Sequence, residues 1–162
     1  MAKKLIRKQA LNEFGKVWVE TLRNELLNNK PFAKRASGQL INSINYKVIQ
    51  TPQGDELKLF AEDYLTFVDK GVSGTEKKYA TPYSYRTKYP KIDEIQKWTR
   101  LKGIPQEAVF PIANKIFRFG LKPTNVINKT IRYIEYKSKW KTKFEGEIAD
   151  DIIAEIKLRF NQ

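Results

Sequence analysis

The sequence predicts an α+β fold in which a small antiparallel β-sheet is packed by a long N-terminal helix and C-terminal helices. Three observations carry this. Apolar residues recur at three- and four-residue spacing through the first 28 positions, alternate with period two between Asn45 and Phe60, and return to helical spacing in the last third. At 162 residues, with 41% hydrophobic and 30% charged residues and few glycines or prolines, the chain can bury a core without disulfides or metals. One domain, 1–162, is expected, with an extended loop at about 72–90 and a helical C-terminal extension at about 137–162.

Leu11, Phe14, Trp18, Leu22 and Leu26 share one stripe of a helix running from about Lys4 to Asn28. Asn28 and Asn29 tolerate turn geometry and Pro31 disfavours helix at the residue before it, so "NNKP" is the expected stop. A short helical turn fits "SGQLINSI", with Ser37 as N-cap and Leu40, Ile41 and Ile44 turned inward. Tyr46 and Val48, then Leu57 and Leu59, alternate with outward residues on either side of "TPQGDE", which reads as a hairpin.

Tyr64, Phe67 and Val68 resume helical spacing, and Gly71 can take the left-handed position that ends a short helix. Residues 72 to 90 show no sustained period and hold two prolines, four tyrosines and several basic residues, so an excursion from the core is expected. Ile92, Ile95 and Trp98 then mark a helix stopped at Gly103. Pro111 sits in the first turn of another helix, which buries Ile112, Ile116 and Phe119 and ends at Gly120. Thr124 is the expected cap of a long C-terminal helical region carrying Ile127, Ile131, Ile134, Phe144, Ile148, Ile152, Ile156 and Phe160, with Gly146 as an interruption.

The chain has no cysteine and no histidine. Thiol chemistry, a disulfide framework, the usual zinc ligands and the usual base near neutral pH are therefore missing from the side-chain repertoire. "GVSGTEKK" lacks P-loop spacing, since two residues separate Gly71 and Gly74 and Thr75 stands where a lysine is needed. Glu56-Leu57-Lys58 places an acid and a lysine on one strand face, as in metal-dependent nucleases, but no aspartate precedes Asp55 to complete a metal cluster. Glu147, Asp150, Asp151 and Glu155 flank an aliphatic stripe and read as its wet side. No hydrolase, nuclease or nucleotide-dependent activity is expected, and no cofactor or metal. No stretch is apolar enough for a signal sequence or a membrane span, so no membrane partner is expected.

Net charge is +13, which fits nucleic acid, an acidic protein partner or plain solubility. "KSKWKTK" makes Lys137, Lys139, Trp140, Lys141 and Lys143 candidate nucleic-acid contacts, with the indole to stack and the amines to meet phosphates. In the 72–90 stretch, Tyr79, Tyr83, Tyr85, Arg86 and Tyr89 have the composition that concentrates energy at protein interfaces, and they are the candidate assembly surface.

Several pieces then fall in order: the amphipathic first helix, "SGQLINSI", "DYLTFVDKGVSGT", a tryptophan helix and "IANKIFRFGLKPTNVI". Together they resemble the tail-completion, or head-to-tail joining, proteins of tailed bacteriophages. Ser37, Gly38, Leu40, Ser43 and Ile44 match a family segment of a small residue followed by Gly-x-Leu-x-x-Ser-Ile. Tyr64, Phe67, Val68, Asp69 and Gly71 resemble an aromatic segment ending in an acid and a glycine. Ala113, Ile116, Gly120 and Pro123 resemble a late Ala-x-x-Ile and Gly-x-x-Pro. The sequence departs from the pattern where Val126 replaces an aromatic, where Lys129 and Thr130 replace Pro-Ala, and where Val72-Ser73-Gly74 intervenes before Thr75.

The resemblance implies a structural virion protein without catalysis, made in the host bacterial cytoplasm and carried in the neck or tail of the particle. It implies copies of itself in a homo-oligomeric ring, portal or adaptor proteins on one side, tail proteins on the other, and packaged DNA passing through the lumen. The alternative left by the residues themselves is a basic nucleic-acid-binding module without catalysis.

Overall fold

The computed structural model describes residues 2–28, 38–144 and 146–160. Helix α1 (Ala2–Asn28) is followed by a short α2 (Gln39–Ser43), a hairpin of β1 (Asn45–Thr51) and β2 (Gly54–Phe60), and a short α3 (Leu65–Lys70). After a long irregular segment come α4 (Ile92–Lys102), a 3₁₀ turn at Gln106–Ala108, α5 (Val109–Phe119), α6 (Val126–Tyr136), α7 (Lys139–Lys143) and α8 (Glu147–Phe160). This is the α+β architecture expected, a two-stranded antiparallel sheet packed by the N-terminal helix and by C-terminal helices. Ser37, Asn29 and Pro31, the expected cap and stop signals, lie outside the described residues.

The chain divides into two compact units. The first comprises Met1–Ala33, Ile41–Ala61 and Val126–Gln162, and the second Lys34–Leu40 and Glu62–Asn125.

In the first unit the α1 stripe is the centre of the core: Leu11, Phe14, Trp18, Leu22 and Leu26 are all at most 1% exposed. Phe14 meets Trp18 and Trp140 edge-on, and Trp18 meets Phe160 the same way, so four aromatic rings interlock with centroids 5.0 to 5.7 Å apart. Each buried indole also finds an acceptor. Trp18 Nε1 donates to Thr130 Oγ1 at 2.9 Å and Trp140 Nε1 to the Ala10 carbonyl at 3.0 Å. The hairpin pairs Asn45 with Phe60 through Thr51 with Gly54 and turns Tyr46, Val48, Leu57 and Leu59 toward the same core. A β-carbon on Gly15 would run into the Tyr46 ring, which shows how closely α1 lies on β1.

The C-terminal region is three helices rather than one long one. Ser138 interrupts the first by capping α7, its side chain accepting from the Trp140 amide, and Gly146 separates α7 from α8 with φ 92°. Thr124 does not cap α6. Its hydroxyl donates to the Val68 carbonyl at 2.8 Å, and Asn125, with φ 51°, stands between it and the helix. Residues 139–160 supply Trp140, Ala149, Ile152, Ile153 and Ile156 to the core, so the expected extension is part of the unit's interior.

In the second unit a smaller core gathers Ile95, Val109 and Ala113, with Ile92, Ile112 and Ile116 packed against them. Helix α4 ends at Gly103 in the left-handed conformation, as expected. Ile95 and Thr99 are its buried residues, whereas Trp98, expected in the core, is only half-buried. Phe119 likewise faces outward at 40% exposure, because Val109 and Ala113 occupy the inward line of α5.

A candidate assembly surface

The second unit brings two separated stretches of sequence together, "DYLTFVDKGVSGT" and "IANKIFRFGLKP". Both Gly71 (φ 72°, ψ −179°) and Gly120 (φ 72°, ψ −165°) combine positive φ with extended ψ, a region that glycine alone populates freely. Gly71 therefore ends α3, but not in the left-handed geometry expected of it. An extended ψ directs the chain into a pairing with the segment after α5. Val72 and Leu121 exchange backbone hydrogen bonds of 2.9 and 2.8 Å, and the amides of Thr75 and Glu76 donate to the carbonyls of Phe117 and Arg118. Upstream, Val68 accepts from the Thr124 hydroxyl and Asp69 accepts through its carbonyl from the Asn125 amide.

The backbones approach too closely for side chains. A β-carbon on Gly71 would sit 2.6 Å from the Leu121 oxygen and 2.7 Å from the Pro123 nitrogen. One on Gly74 would strike Arg118, and one on Gly120 would strike Val72. Gly71, Val72, Ser73 and Gly74 are all buried, which corrects the expectation that the chain leaves the core here. The sequence marks these glycines as a stop and a turn; their use in a close backbone crossing depends on a partner segment far along the chain and has no local signal.

The tyrosine-rich stretch folds back on this crossing. Ser73 bridges to Ser84, its amide donating to the Tyr83 carbonyl and its carbonyl accepting from Tyr85. Ser73 Oγ accepts from the Tyr79 amide at 2.9 Å, and Thr81 Oγ1 donates to the Gly71 carbonyl at 3.0 Å. Tyr79, Tyr83 and Tyr85 are half-buried rather than displayed. Tyr83 packs edge-on against Phe67, and burial pushes the Tyr85 phenol above its ordinary range. Tyr89 rests on Phe117 and donates its hydroxyl to Asn114 at 2.9 Å while staying 38% exposed, and Arg86 is exposed. Of the candidate assembly residues, only these two are exposed.

Among the remaining motif positions, Leu40, Ile44, Ala113 and Asp69 are buried, Ile116 and Pro123 are half-buried, and Gly38 has φ 73°. Ser43 is half-buried. Tyr64 shares a hydrogen bond with the Leu40 backbone, and partial burial raises its pKa. These are packing roles.

The candidate nucleic-acid contacts around Trp140 are corrected by its burial. At 4% exposure, with its N–H bound to Ala10, the indole cannot stack on a base. Lys141 binds Asp150 at 2.9 Å, which raises its pKa, and Lys143 binds Glu13 at 2.7 Å, which holds that carboxyl below its ordinary range. Lys137 and Lys139 remain outside this core, both exposed.

Three further acids of the first unit are engaged in the same manner. Glu56 is bound by Arg159 at 2.7 Å, Glu155 by Arg7 at 2.6 Å and by Arg159 at 2.9 Å, and Glu135 by Lys157 at 2.6 Å. The last pair lines a depression of about 500 Å³ together with Asn128, Ile131, Arg132 and Tyr136. Among the described residues no group of three His, Cys, Asp or Glu is placed to share a metal ion, and no helix is long and apolar enough to cross a membrane. Comparison with protein-family models, curated proteins and solved structures finds no match to this chain.

Proposed function

We propose that this chain is a structural protein of a tailed-phage particle, a ring-forming tail-completion or neck component that joins the portal to the tail and has no catalytic role. The observation that carries the reading is the crossing in the second unit. The two motifs behind most of the resemblance, around Gly71 and around Gly120, are one structural feature, zipped by reciprocal bonds between Val72 and Leu121. A segment pair so constrained suits a rigid platform for contact loops, and Phe67, Leu101, Phe110 and Phe119 give the same unit apolar side chains at 39 to 65% exposure to set against a neighbour.

The test is genetic and structural. Nonsense mutation of the gene in a phage that carries it should leave filled heads and tails that do not join, and electron microscopy of intact particles should place the protein in a ring at the neck or tail end. Normal particles from the mutant, or particles that lack the protein, would overturn the proposal.

A further inference from the structure

We infer that the face of the second unit built from residues 75–91 and 109–124 binds the phosphate backbone of nucleic acid without regard to sequence. Within those two segments lie Lys77, Lys78, Arg86, Lys88, Lys91, Lys115, Arg118 and Lys122 against a single acid, Glu76. Glu76 is already neutralised by Arg118 at 2.6 Å, a contact that also raises the pKa of the guanidinium. The other seven cations are exposed, and among the described residues none of them makes an ion pair with a carboxylate. Lys78 does bond to the Gly74 carbonyl, which leaves its charge uncompensated.

The two segments are physically one surface. Thr75, Glu76 and Lys77 bond to the carbonyls of Phe117 and Arg118, and Tyr89 lies on Phe117 and binds Asn114. Lys77, Lys78, Lys88 and Lys115 are each within two residues of one of these ties. In the first unit Arg7, Lys141, Lys143, Lys157 and Arg159 have carboxylate partners, whereas Lys129, Arg132, Lys137 and Lys139 make no ion pair among the described residues and serve as the comparison. Within the second unit, uncompensated positive charge is thus concentrated on this face.

The residue types select the partner. Six of the seven cations are lysine, which is depleted at protein interfaces but serves well as a point charge on phosphate. Tyr79, Tyr83 and Tyr85, the anchors a protein partner would use, are held half-buried by their own chain. The same engagement removes them as stacking platforms, so the contact is with the backbone and not the bases. Neither point depends on the ring proposed above, and a chain absent from phage particles can still bind through this face.

The experiment is fluorescence anisotropy of the full chain with a duplex of random sequence, about 20 base pairs long, between about 50 and 200 mM KCl. Seven phosphate contacts give a log–log salt slope of about −6. The triple variant Arg86→Gln, Lys88→Gln, Lys115→Gln should bring the slope up by about 2 to 3, at unchanged melting temperature because all three side chains are exposed. A control of equal charge, Arg132→Gln, Lys137→Gln, Lys139→Gln, should leave it within about one unit of wild type. Equal effects of the two triples would make the binding a net-charge phenomenon and overturn the inference, as would no binding at the lowest salt. Binding to polyglutamate, lost in the first triple, with none to the duplex would overturn it in favour of an acidic protein partner.

Discussion

Trp18 and Trp98 share a side chain and a helical setting but differ in what surrounds them. Trp18 is fully buried against Phe14 and Phe160 and hydrogen-bonded to Thr130, whereas Trp98 is half-buried. Trp18→Ala should cost about 3 to 5 kcal/mol by denaturant unfolding, and Trp98→Ala clearly less. Equal losses would show that the second unit packs Trp98 as tightly as the first packs Trp18. At the same scale, Arg159 holds the Glu56 carboxyl below its ordinary pKa. A depressed folded-state pKa contributes stability above the unfolded value, and that contribution disappears as pH falls through the folded one. The melting-temperature difference between wild type and Glu56→Gln should therefore be present at neutral pH and fade below about pH 4. A difference that stays constant well into the acid range would assign it to something other than the carboxylate charge.

Elements were legible in the sequence wherever one period governed a whole stretch. The α1 stripe, the hairpin alternation and the Gly103 stop all arise from local spacing, and the structure has each of them. What escaped was nonlocal. Trp140 among lysines reads as a wet aromatic until α1 brings the Ala10 carbonyl to its N–H, and the long C-terminal pattern reads as one helix until Ser138 takes the Trp140 amide. The candidate assembly surface was legible only in composition. Its half-burial arises because Ser73, a single small residue, offers both backbone and side chain to Tyr79, Tyr83 and Tyr85. Two variants test this element. Gly120→Ala forces a β-carbon against Val72 in a backbone conformation that only glycine adopts freely, and should unfold the second unit or lower its stability by more than about 3 kcal/mol. Ser73→Ala removes a buried hydroxyl that bonds the Tyr79 amide and should cost about 1 to 3 kcal/mol. Accelerated amide exchange at residues 79 to 85 would be its direct signature, and unchanged protection there would refute the tie.

On the scale of the whole molecule, Glu62–Asn125 is an insertion: the chain leaves the first unit after Ala61 and re-enters it at Val126. The core around Phe14 and Trp18 draws on α1, the hairpin, α6, α7 and α8 but on no residue of the insertion. Replacing 62–125 by a flexible Gly-Ser linker should accordingly leave a cooperative melt and buried, blue-shifted tryptophan fluorescence. A non-cooperative melt would mean that the first unit's core is incomplete without the inserted residues.

That discontinuity also sets an order of events on the ribosome. The stripe of Leu11, Phe14 and Trp18 is synthesised early and the hairpin that packs on it soon after, but Ile131, Ile134, Trp140 and Ile152, which complete its cover, come only in the last third of the chain. At about 5 to 20 residues per second, the apolar face of α1 waits roughly 5 to 30 seconds for the rest of its cover while residues 62–125 emerge. During translation α1 is therefore the segment that a chaperone would hold.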